Sequence, residues 1–320
     1  PHSGWVEQDA QEIWTTQIAV VQQAMASARI LAKDIKALGL TNQRETTVVW
    51  DKRTGTPLAP AIIWQDRRAA EWCNSLLQNN KMNKIHKKTG LRIDPYFSAG
   101  KLVWLLQNID GLRELAQQGH VAFGTIDSWL IWNLTQGSQH VIEVSNASRT
   151  MLMNLETQQW DTELLELFDI PRSVLPTIIR SDEYVANTAP GLLGAEIPIA
   201  GVMGDQQSAL FGQSCFEAGT AKNTYGTGCF MLFNTGEKLQ YSQNQLLTTL
   251  AWNCQNKTSY ALEGSVFMAG AIVQWLRDGL GIIKNSTEVE KLACQVNSTD
   301  GVVLVPAFTG LGAPHWDSEA

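Results

Sequence analysis

Apolar residues recur every three or four positions in several stretches of the chain, a spacing typical of helices that cover a sheet. It predicts helices over residues 13–25, 69–77, 101–106, 162–168, 208–213 and 269–280. Shorter apolar or β-branched runs are typical of strands. They lie at residues 46–50, 61–64, 197–203, 229–233, 246–252, 260–262 and 302–306. Helices and strands that alternate in this order predict an α/β fold.

Three local patterns make these elements more specific. The turn residues of 51–57 join two strand-like runs, which predicts a hairpin or a meander over 46–64. Ser98 precedes the apolar residues of the third helix, so we expect it to be the N-cap of that helix. The uninterrupted apolar run of 302–306 predicts a strand that is buried on both faces.

The composition indicates a globular chain of two domains. With 44% hydrophobic and 17% charged residues, 320 residues suffice for two cores. A composition break at 215–219 places the boundary, so the predicted domains are 1–212 and 213–320. The net charge of −7 argues against a protein that binds nucleic acid or lies on an anionic membrane. No apolar run approaches the roughly 20 residues that cross a bilayer. Because nucleic acid and membrane are both disfavoured as partners, a small-molecule partner is expected.

The five cysteines are odd in number and widely spaced, which disfavours both a disulfide framework and a zinc site. Because no amino-terminal signal segment is present either, they predict a cytoplasmic protein. The ligands of any metal stay unassigned. The chain begins with Pro1 instead of a methionine and ends behind a glycine-rich loop, so a fragment of a longer protein is expected.

Asp205 lies where an apolar run ends at Gly204 and a helix-like run begins, so it is expected at a strand-to-helix turn. Such turns collect ligands in open α/β sheets. A few residues later, Gly226, Thr227 and Gly228 form a loop whose backbone amides can approach a phosphate closely. The simpler alternatives are an aspartate that only caps its helix and a plain glycine-rich turn.

Other residues suggest a site for a compound with several hydroxyl groups. Arg44 and Glu45 lie at a strand margin, and Trp64 ends the next strand. A guanidinium beside a carboxylate offers donors and an acceptor to neighbouring hydroxyl groups, although adjacent charges are more often solvated at the surface. Pro95 makes the chain extended before the helix, which places Tyr96 on a loop.

Six motifs occur in order along nearly the whole chain. They are Thr-Asn-Gln-Arg-Glu-Thr-Thr at 41–47, Trp-Gln-Asp-Arg-Arg at 64–68, Asp-Pro-Tyr-Phe-Ser at 94–98, Gly-Asp-Gln-Gln at 204–207, Asn-Thr-Tyr-Gly-Thr-Gly-Cys-Phe at 223–230 and Pro-Ala-Phe-Thr-Gly-Leu-Gly-Ala-Pro at 306–314. Together they resemble the FGGY carbohydrate kinase family. Any one of these motifs is a weak signal, but six in register leave little room for chance.

The resemblance implies two ribonuclease-H-like or actin-like domains with a cleft between them, the second being incomplete here. It implies ATP-dependent phosphorylation of glycerol to sn-glycerol 3-phosphate with Mg²⁺, by a homo-oligomer such as a dimer or tetramer. Asp205 would be the catalytic base. The glycerol-binding residues would be Arg44, Glu45, Trp64, Tyr96, Asp205, Gln206 and Phe230. The nucleotide-binding residues would be Thr227, Gly228, Gly270 and Gln274.

The chain also departs from the family pattern. The first phosphate loop of the family and its later adenosine contacts are not among these residues. Glu196 stands where some members have an arginine that binds fructose bisphosphate, so feedback by that sugar phosphate is not expected. Three other functions stay open: another polyol or sugar kinase of the family, a non-catalytic actin-like nucleotide-binding module, and a glycosidase with Glu45 and Asp205 as its carboxylate pair.

Overall fold

The computed structural model of the protein describes residues 2–308, 310–317 and 320. Its helices are α1 (Ala10–Ala28), α2 (Ala70–Gln78), α3 (Met82–Thr89), α4 (Ser98–Asn108), α5 (Leu112–Gln117), α6 (Ile126–Leu134), α7 (Val144–Ala147), α8 (Thr162–Phe168), α9 (Asp205–Gly212), α10 (Gly270–Gln274) and α11 (Glu288–Ala293). A π-helical turn, Trp275–Gly279, continues α10, and short 3₁₀ turns lie at Ala32–Asp34 and Arg172–Val174.

The strands complete an α/β fold, as the sequence predicts. They are β1 (Glu7–Gln8), β2 (Leu38–Asn42), β3 (Val48–Asp51), β4 (Ala61–Ile62), β5 (Val121–Gly124), β6 (Val141–Glu143), β7 (Met153–Asn154), β8 (Gln159–Trp160), β9 (Thr177–Ile179), β10 (Ala186–Asn187), β11 (Pro198–Gly204), β12 (Ala221–Tyr225), β13 (Cys229–Gly236), β14 (Leu247–Cys254) and β15 (Lys257–Val266).

Strand β11 organises the sheet that positions the candidate site. It pairs in parallel with β2, with Gly204 opposite Asn42, and antiparallel with β10. Because the two parallel strands end side by side, the residues that follow them emerge at the same sheet edge. This register brings Arg44, two residues beyond β2, next to Asp205, the first residue of α9.

A second, four-stranded antiparallel sheet has the order β12, β13, β15, β14. Residues 226–228 form the turn of the β12–β13 hairpin. Strand β15 places Glu263 opposite Leu232 in the middle of the sheet. The sheet packs on the amino-terminal part of the chain through β14, whose Thr248 amide donates to the Gly90 carbonyl at 3.0 Å.

One apolar core spans both parts of the chain. Its buried members include Leu102 of α4 together with Phe230 of β13 and Leu250 of β14. Helix α1 covers a smaller core, and its N-cap Asp9 accepts hydrogen bonds from the Gln11 and Glu12 amides. No helix in the described part of the chain is long and apolar enough to cross a membrane.

The prediction of a buried strand over 302–306 is wrong. Residues 302–307 form no regular element, and the side chains there are open to solvent, with Val302 75% and Val303 81% exposed. A continuous apolar run becomes a central strand only where neighbouring strands and a covering layer exist. None of the strands in the described ranges pairs with this segment.

The hairpin predicted over 46–64 forms only as isolated bridges between Thr47 and Ile62 and between Trp50 and Pro57. Its two strands make their main pairings elsewhere, β3 with β5 and β4 with β1. Neighbours in sequence therefore compete with strands from distant parts of the chain, which the local pattern does not reveal.

Ser98 is not the N-cap of α4, contrary to the prediction. Phe97 occupies that position, and Ser98 is the first helical residue. The Ser98 hydroxyl instead donates to the Glu45 carbonyl oxygen at 3.0 Å. Ser98 thus bonds to a residue distant in sequence and not to the amides of its own helix, and this bond joins the start of α4 to the candidate site.

Candidate active site

Arg44 and Glu45 lie in a tight turn after β2 and are both buried, with 2% and 1% exposure. The alternative of solvated surface charges is therefore wrong. Glu45 has a φ of 61°, in the left-handed region that non-glycine residues seldom adopt. Such backbone strain persists where surrounding contacts hold it and is concentrated at functional sites. Here the Ser98 hydroxyl is one of the groups that hold the turn.

The Arg44 guanidinium is held from several sides. Its Nη1 and Nη2 donate to the two carboxylate oxygens of Glu263 at 2.6 and 2.9 Å. Nη1 also donates to Gln207 Oε1, and Nη2 to the Tyr96 hydroxyl, both at 3.2 Å. A bidentate pair of this kind fixes both position and orientation. The Nε atom is left facing Asp205, 3.3 Å from its Oδ1.

Arg149 completes a buried group of charges that we call the charged cluster: Arg44, Glu45, Arg149 and Glu263. Arg149 Nε donates to Glu45 Oε1 at 2.7 Å, and its Nη2 donates to Glu263 Oε1 at 3.0 Å. Ser265 adds a further donor to Glu263 at 2.9 Å. Two positive and two negative groups alternate, so the formal charges of this buried cluster cancel.

The pKa values of the cluster carboxylates diverge because their surroundings differ. Burial alone raises the pKa of Glu263, but Arg149 and Arg44 outweigh it and hold the pKa at about 2. At Glu45 the effect of burial prevails, and its pKa is raised in spite of Arg44 and Arg149. Glu263 is therefore ionised at neutral pH and forms ion pairs with both guanidinium groups.

Arg149 and Glu263 are site residues that the sequence analysis missed. Arg149 lies in a short polar segment between apolar runs, which by itself indicates only a structural connection. Glu263 directly follows the apolar residues 260–262, from which its strand is predicted. The one local signal is an ionisable residue in the middle of β15, where charges are rarely buried without a partner.

Aromatic rings form a wall beside the charged cluster. The Trp64 ring lies edge-on to Tyr96 and Phe230, with centroid separations of 5.8 and 5.7 Å. Phe267 is not among the predicted site residues, and its ring lies edge-on to Tyr96 with a centroid separation of 5.5 Å. A small cavity opens between Trp64, Tyr96 and Phe267 and reaches Arg67. Apolar walls next to fixed polar groups are typical of sites for small molecules.

The loop that carries Tyr96 is fixed by buried charges. Asp94 Oδ1 accepts from the Tyr96 amide at 2.8 Å. Lys101 Nζ donates to the carbonyl oxygens of Pro95 and Tyr96, each at 2.7 Å. Because these bonds hold the backbone on both sides of the ring, Tyr96 keeps its place between Trp64 and the charged cluster.

Asp205 lies at the predicted strand-to-helix turn but does not cap its helix. Gly204 is the N-cap residue, and Asp205 begins α9. Its Oδ1 accepts from the Gln206 amide at 2.8 Å, and its Oδ2 from Gln206 Nε2 at 3.2 Å. The Asp205 side chain is 41% exposed, whereas that of Arg44 is 1% exposed. Gln206 and Arg44 hold this carboxylate in place, and the rest of it is exposed to solvent. Such a carboxylate can accept a proton from a bound hydroxyl group.

The Thr227 loop lies against the start of α10. The Thr227 carbonyl oxygen accepts from the Ala269 amide at 2.8 Å, and the Gly226 carbonyl oxygen accepts from the Gly270 amide at 2.9 Å. A Cβ on Gly270 would meet the Gly226 oxygen at 2.6 Å, and one on Gly228 would meet the Val266 oxygen at 2.5 Å. Glycine is thus required at both positions for this backbone contact.

This contact brings three of the predicted nucleotide-binding residues, Thr227, Gly228 and Gly270, into one backbone cradle. Gln274 lies one turn further along α10. Thr227 is exposed, so its side chain and the loop are accessible to a ligand. The Ala269 and Gly270 amides are used by the loop carbonyls, so a phosphate group would meet the exposed side of the loop at Thr227, a glycine-rich backbone typical of anion-binding loops. In the described ranges no group of three or more histidine, cysteine or acidic side chains could hold a metal ion.

With this geometry established, comparison with known proteins identifies the family. Residues 1–212 match the N-terminal domain of the FGGY family of carbohydrate kinases, and residues 221–320 match its C-terminal domain. The chain belongs to the FGGY family. The resemblance predicted from the six motifs is thereby confirmed.

Curated FGGY relatives with high identity are named glycerol kinase. That of Acinetobacter baylyi is 78% identical over 320 residues, which cover all of this chain and 65% of the relative. That of Deinococcus radiodurans is 58% identical over the same 320 residues and 64% of its own length. The chain thus spans slightly less than two thirds of these relatives.

Solved structures of FGGY kinases have the same fold. Plasmodium falciparum glycerol kinase with ADP has a TM-score of 0.88 and 41% identity over the whole chain and 64% of that structure. Xylulose kinase from Lactobacillus acidophilus has a TM-score of 0.83 at 21% identity, again over the whole chain and 64% of that structure. The predicted actin-like α/β fold class is confirmed, whereas the domain boundary after residue 212 stays a prediction.

Proposed function

We propose that the protein to which this chain belongs transfers the γ-phosphoryl group of ATP to glycerol and forms sn-glycerol 3-phosphate. The observation that carries this proposal is the position of the half-exposed Asp205 carboxylate, beside the buried Arg44 and Glu45 and close to the aromatic wall. The relatives named glycerol kinase support the choice of polyol. Mg²⁺ dependence, a cytoplasmic location and homo-oligomerisation belong to the same proposal.

Glycerol needs several directional partners because it is small and carries three hydroxyl groups. In the proposed complex, Arg44 donates to one hydroxyl oxygen, and Glu45 accepts from a neighbouring hydroxyl group. Tyr96 and Gln206 supply further polar contacts. Trp64 and Phe230 pack on the carbon side and leave little room for longer sugars.

Asp205 acts as the general base in this proposal. Its carboxylate accepts the proton of a terminal hydroxyl group while Gln206 and Arg44 keep the carboxylate in place. ATP with Mg²⁺ would supply the phosphoryl group, a chemistry in which positioning and electrostatic stabilisation carry most of the rate. The backbone of Thr227, Gly228 and Gly270, with Gln274 beyond it, would hold the phosphate end of the nucleotide.

The proposal is tested with the full-length protein that contains residues 1–320. ADP release is measured with glycerol, xylulose, erythritol and dihydroxyacetone as acceptors, and we expect the highest kcat/KM with glycerol. Preference for a five-carbon sugar would show another kinase of the family. Binding of ATP without formation of any phosphorylated polyol would show a nucleotide-binding module instead.

Replacement of Tyr96 by phenylalanine is expected to raise the KM for glycerol about tenfold and to change kcat less. The substitution removes the hydroxyl that accepts from Arg44 Nη2 at 3.2 Å, and a bond to a charged group contributes roughly 1.5–3 kcal/mol. Initial rates over a range of glycerol concentrations measure the effect.

A suitable control for this variant is Tyr184→Phe, because Tyr184 is exposed and its hydroxyl donates to Asn187 Oδ1 at 3.1 Å. The control should leave KM unchanged. If Tyr96→Phe also leaves it unchanged, the Tyr96 hydroxyl has no part in the glycerol site.

A further inference from the structure

Lys222 is a buried lysine in β12 that has no role in the site as described so far. Its residue exposure is 6%, and β12 is the first strand of the hairpin that carries the Thr227 loop. Lysine is rarely buried unless its ammonium group finds partners for its donors. The identity of those partners indicates what this residue does.

Two partners of Lys222 belong to its own hairpin. Its Nζ donates to the Thr224 hydroxyl oxygen at 2.9 Å and to the Phe230 carbonyl oxygen at 3.1 Å. Thr224 and Phe230 are opposite each other in the β12–β13 register, just before and after the turn. The ammonium group therefore crosslinks both strands at the base of the Thr227 loop.

The third partner belongs to the other wall of the site. Lys222 Nζ donates a short hydrogen bond to Gln206 Oε1, at the start of α9. An ammonium group only donates, so the Gln206 amide must turn its oxygen toward Lys222 and its nitrogen away. That nitrogen donates to Asp205 Oδ2 at 3.2 Å. Lys222 thus determines that the nitrogen of the Gln206 side-chain amide, and not its oxygen, faces Asp205.

From these contacts we propose that Lys222 is a positioning residue that sets the separation between the Asp205 carboxylate and the Thr227 loop. It does so by bonding to Gln206 and to the hairpin at once. The inference rests on the proposed function, since it assigns Asp205 and the loop to the two sides of one phosphoryl transfer. Small displacements of reacting groups cost rate because they leave the productive geometry.

The charge state of Lys222 provides a way to test this role. Burial lowers its pKa to about 8; Glu263 and Asp205 attract the ammonium group, the Cys215 thiol also favours it, and Arg44 repels it. Below that pH the ammonium group has three N–H donors for its three acceptors. Above it, the neutral amine has only two N–H donors, so it can no longer donate to all three oxygens, and the charge that strengthens these bonds is lost. Arginine at this position would stay charged throughout.

The first experiment replaces Lys222 by methionine, which keeps an apolar stem and removes all three donors. In the full-length protein, kcat with glycerol is expected to fall about 10- to 100-fold, while KM for glycerol changes by about threefold or less. The reason for this split is that Lys222 bonds to Gln206 and to the backbone of Phe230 but to none of Arg44, Glu45, Trp64 and Tyr96. Calorimetry with glycerol alone should likewise give an affinity within about threefold of the wild type.

The matched control is Lys257→Met, because Lys257 is an exposed lysine of β15 in the same sheet. It should leave kcat, KM and glycerol affinity unchanged. A second variant, Lys222→Arg, is compared with the wild type between pH 6.5 and 9.5. We expect the wild-type kcat to fall above about pH 8 and this alkaline fall to be absent from the arginine variant.

The outcomes separate this inference from the proposed function. A wild type that forms no ADP with glycerol refutes the proposed function and removes the basis of the inference. An active wild type whose Lys222→Met variant keeps kcat within about twofold overturns the inference alone. If the methionine variant does not fold, the pH profile of Lys222→Arg decides, and an unchanged alkaline fall overturns the inference.

Discussion

Replacement of Asp205 by asparagine is expected to lower the turnover of glycerol by about two to four decades and to leave the fold intact. Asparagine can still accept from the Gln206 amide through its side-chain oxygen, so the start of α9 keeps this contact, while the ion pair with Arg44 Nε is lost. It cannot take up the proton of the attacking hydroxyl group. The measurement is glycerol-dependent ADP release by the full-length protein, with thermal unfolding as the check on folding.

Asp9→Asn is a suitable control for this experiment. Asp9 caps α1 and is not among the residues assigned to glycerol or the nucleotide, and asparagine is an equally good N-cap residue, so neither turnover nor stability should change. Near-normal ADP release by Asp205→Asn would rule out Asp205 as the base. It would leave the aspartate with the role of fixing Gln206 and Arg44.

Replacement of Glu263 by glutamine is expected to destabilise the fold by about 3–5 kcal/mol, the range seen when one partner of a buried ion pair is removed. Two guanidinium groups rest on this carboxylate, and the amide nitrogen of glutamine would face their donors. Glycerol binding should also be lost, because Arg44 no longer has a fixed orientation. Urea-induced unfolding and calorimetry measure the two effects.

The effect of Glu263→Gln should depend on pH in a defined direction. The pKa of Glu263 is about 2, below the value of roughly 4.3 expected in the unfolded chain. Its stabilising contribution is therefore fully present above about pH 4.3 and is lost as the pH falls through about 2, so the difference from the wild type shrinks in acid. Glu217→Gln, at an exposed position, controls for the change in net charge. A difference below about 1 kcal/mol at pH 7 would contradict the role of the charged cluster.

Local sequence patterns were sufficient where neighbours in the chain determine the structure. The apolar run that ends at Gly204 predicts the turn at Asp205. Strand β2, which positions Arg44, is not among the predicted strands. The motifs predicted the family correctly, and the structure brings the residues assigned to glycerol together. Their individual roles remain predictions.

Contacts between distant residues account for what the patterns missed. Glu263 is 219 positions from Arg44, and Arg149 is 104 positions from Glu45, so no local spacing relates them. Ser98 has a local use as a helix cap, yet it bonds to Glu45 instead. The exposed segment at 302–306 shows the same limit, because an apolar run does not reveal whether another element covers it.

The charged cluster also restricts how this chain can be divided or recombined. Arg44, Glu45 and Arg149 lie within residues 1–212, which match one family domain, while Glu263 lies within the other. Separated from the second domain, the first would retain both arginines of the cluster but only one of its two carboxylates, Glu45. A hybrid built from the halves of two relatives is electrically balanced only if both parents carry this arrangement. The charged cluster is thus built from both domains, and each domain supplies countercharges that the other needs.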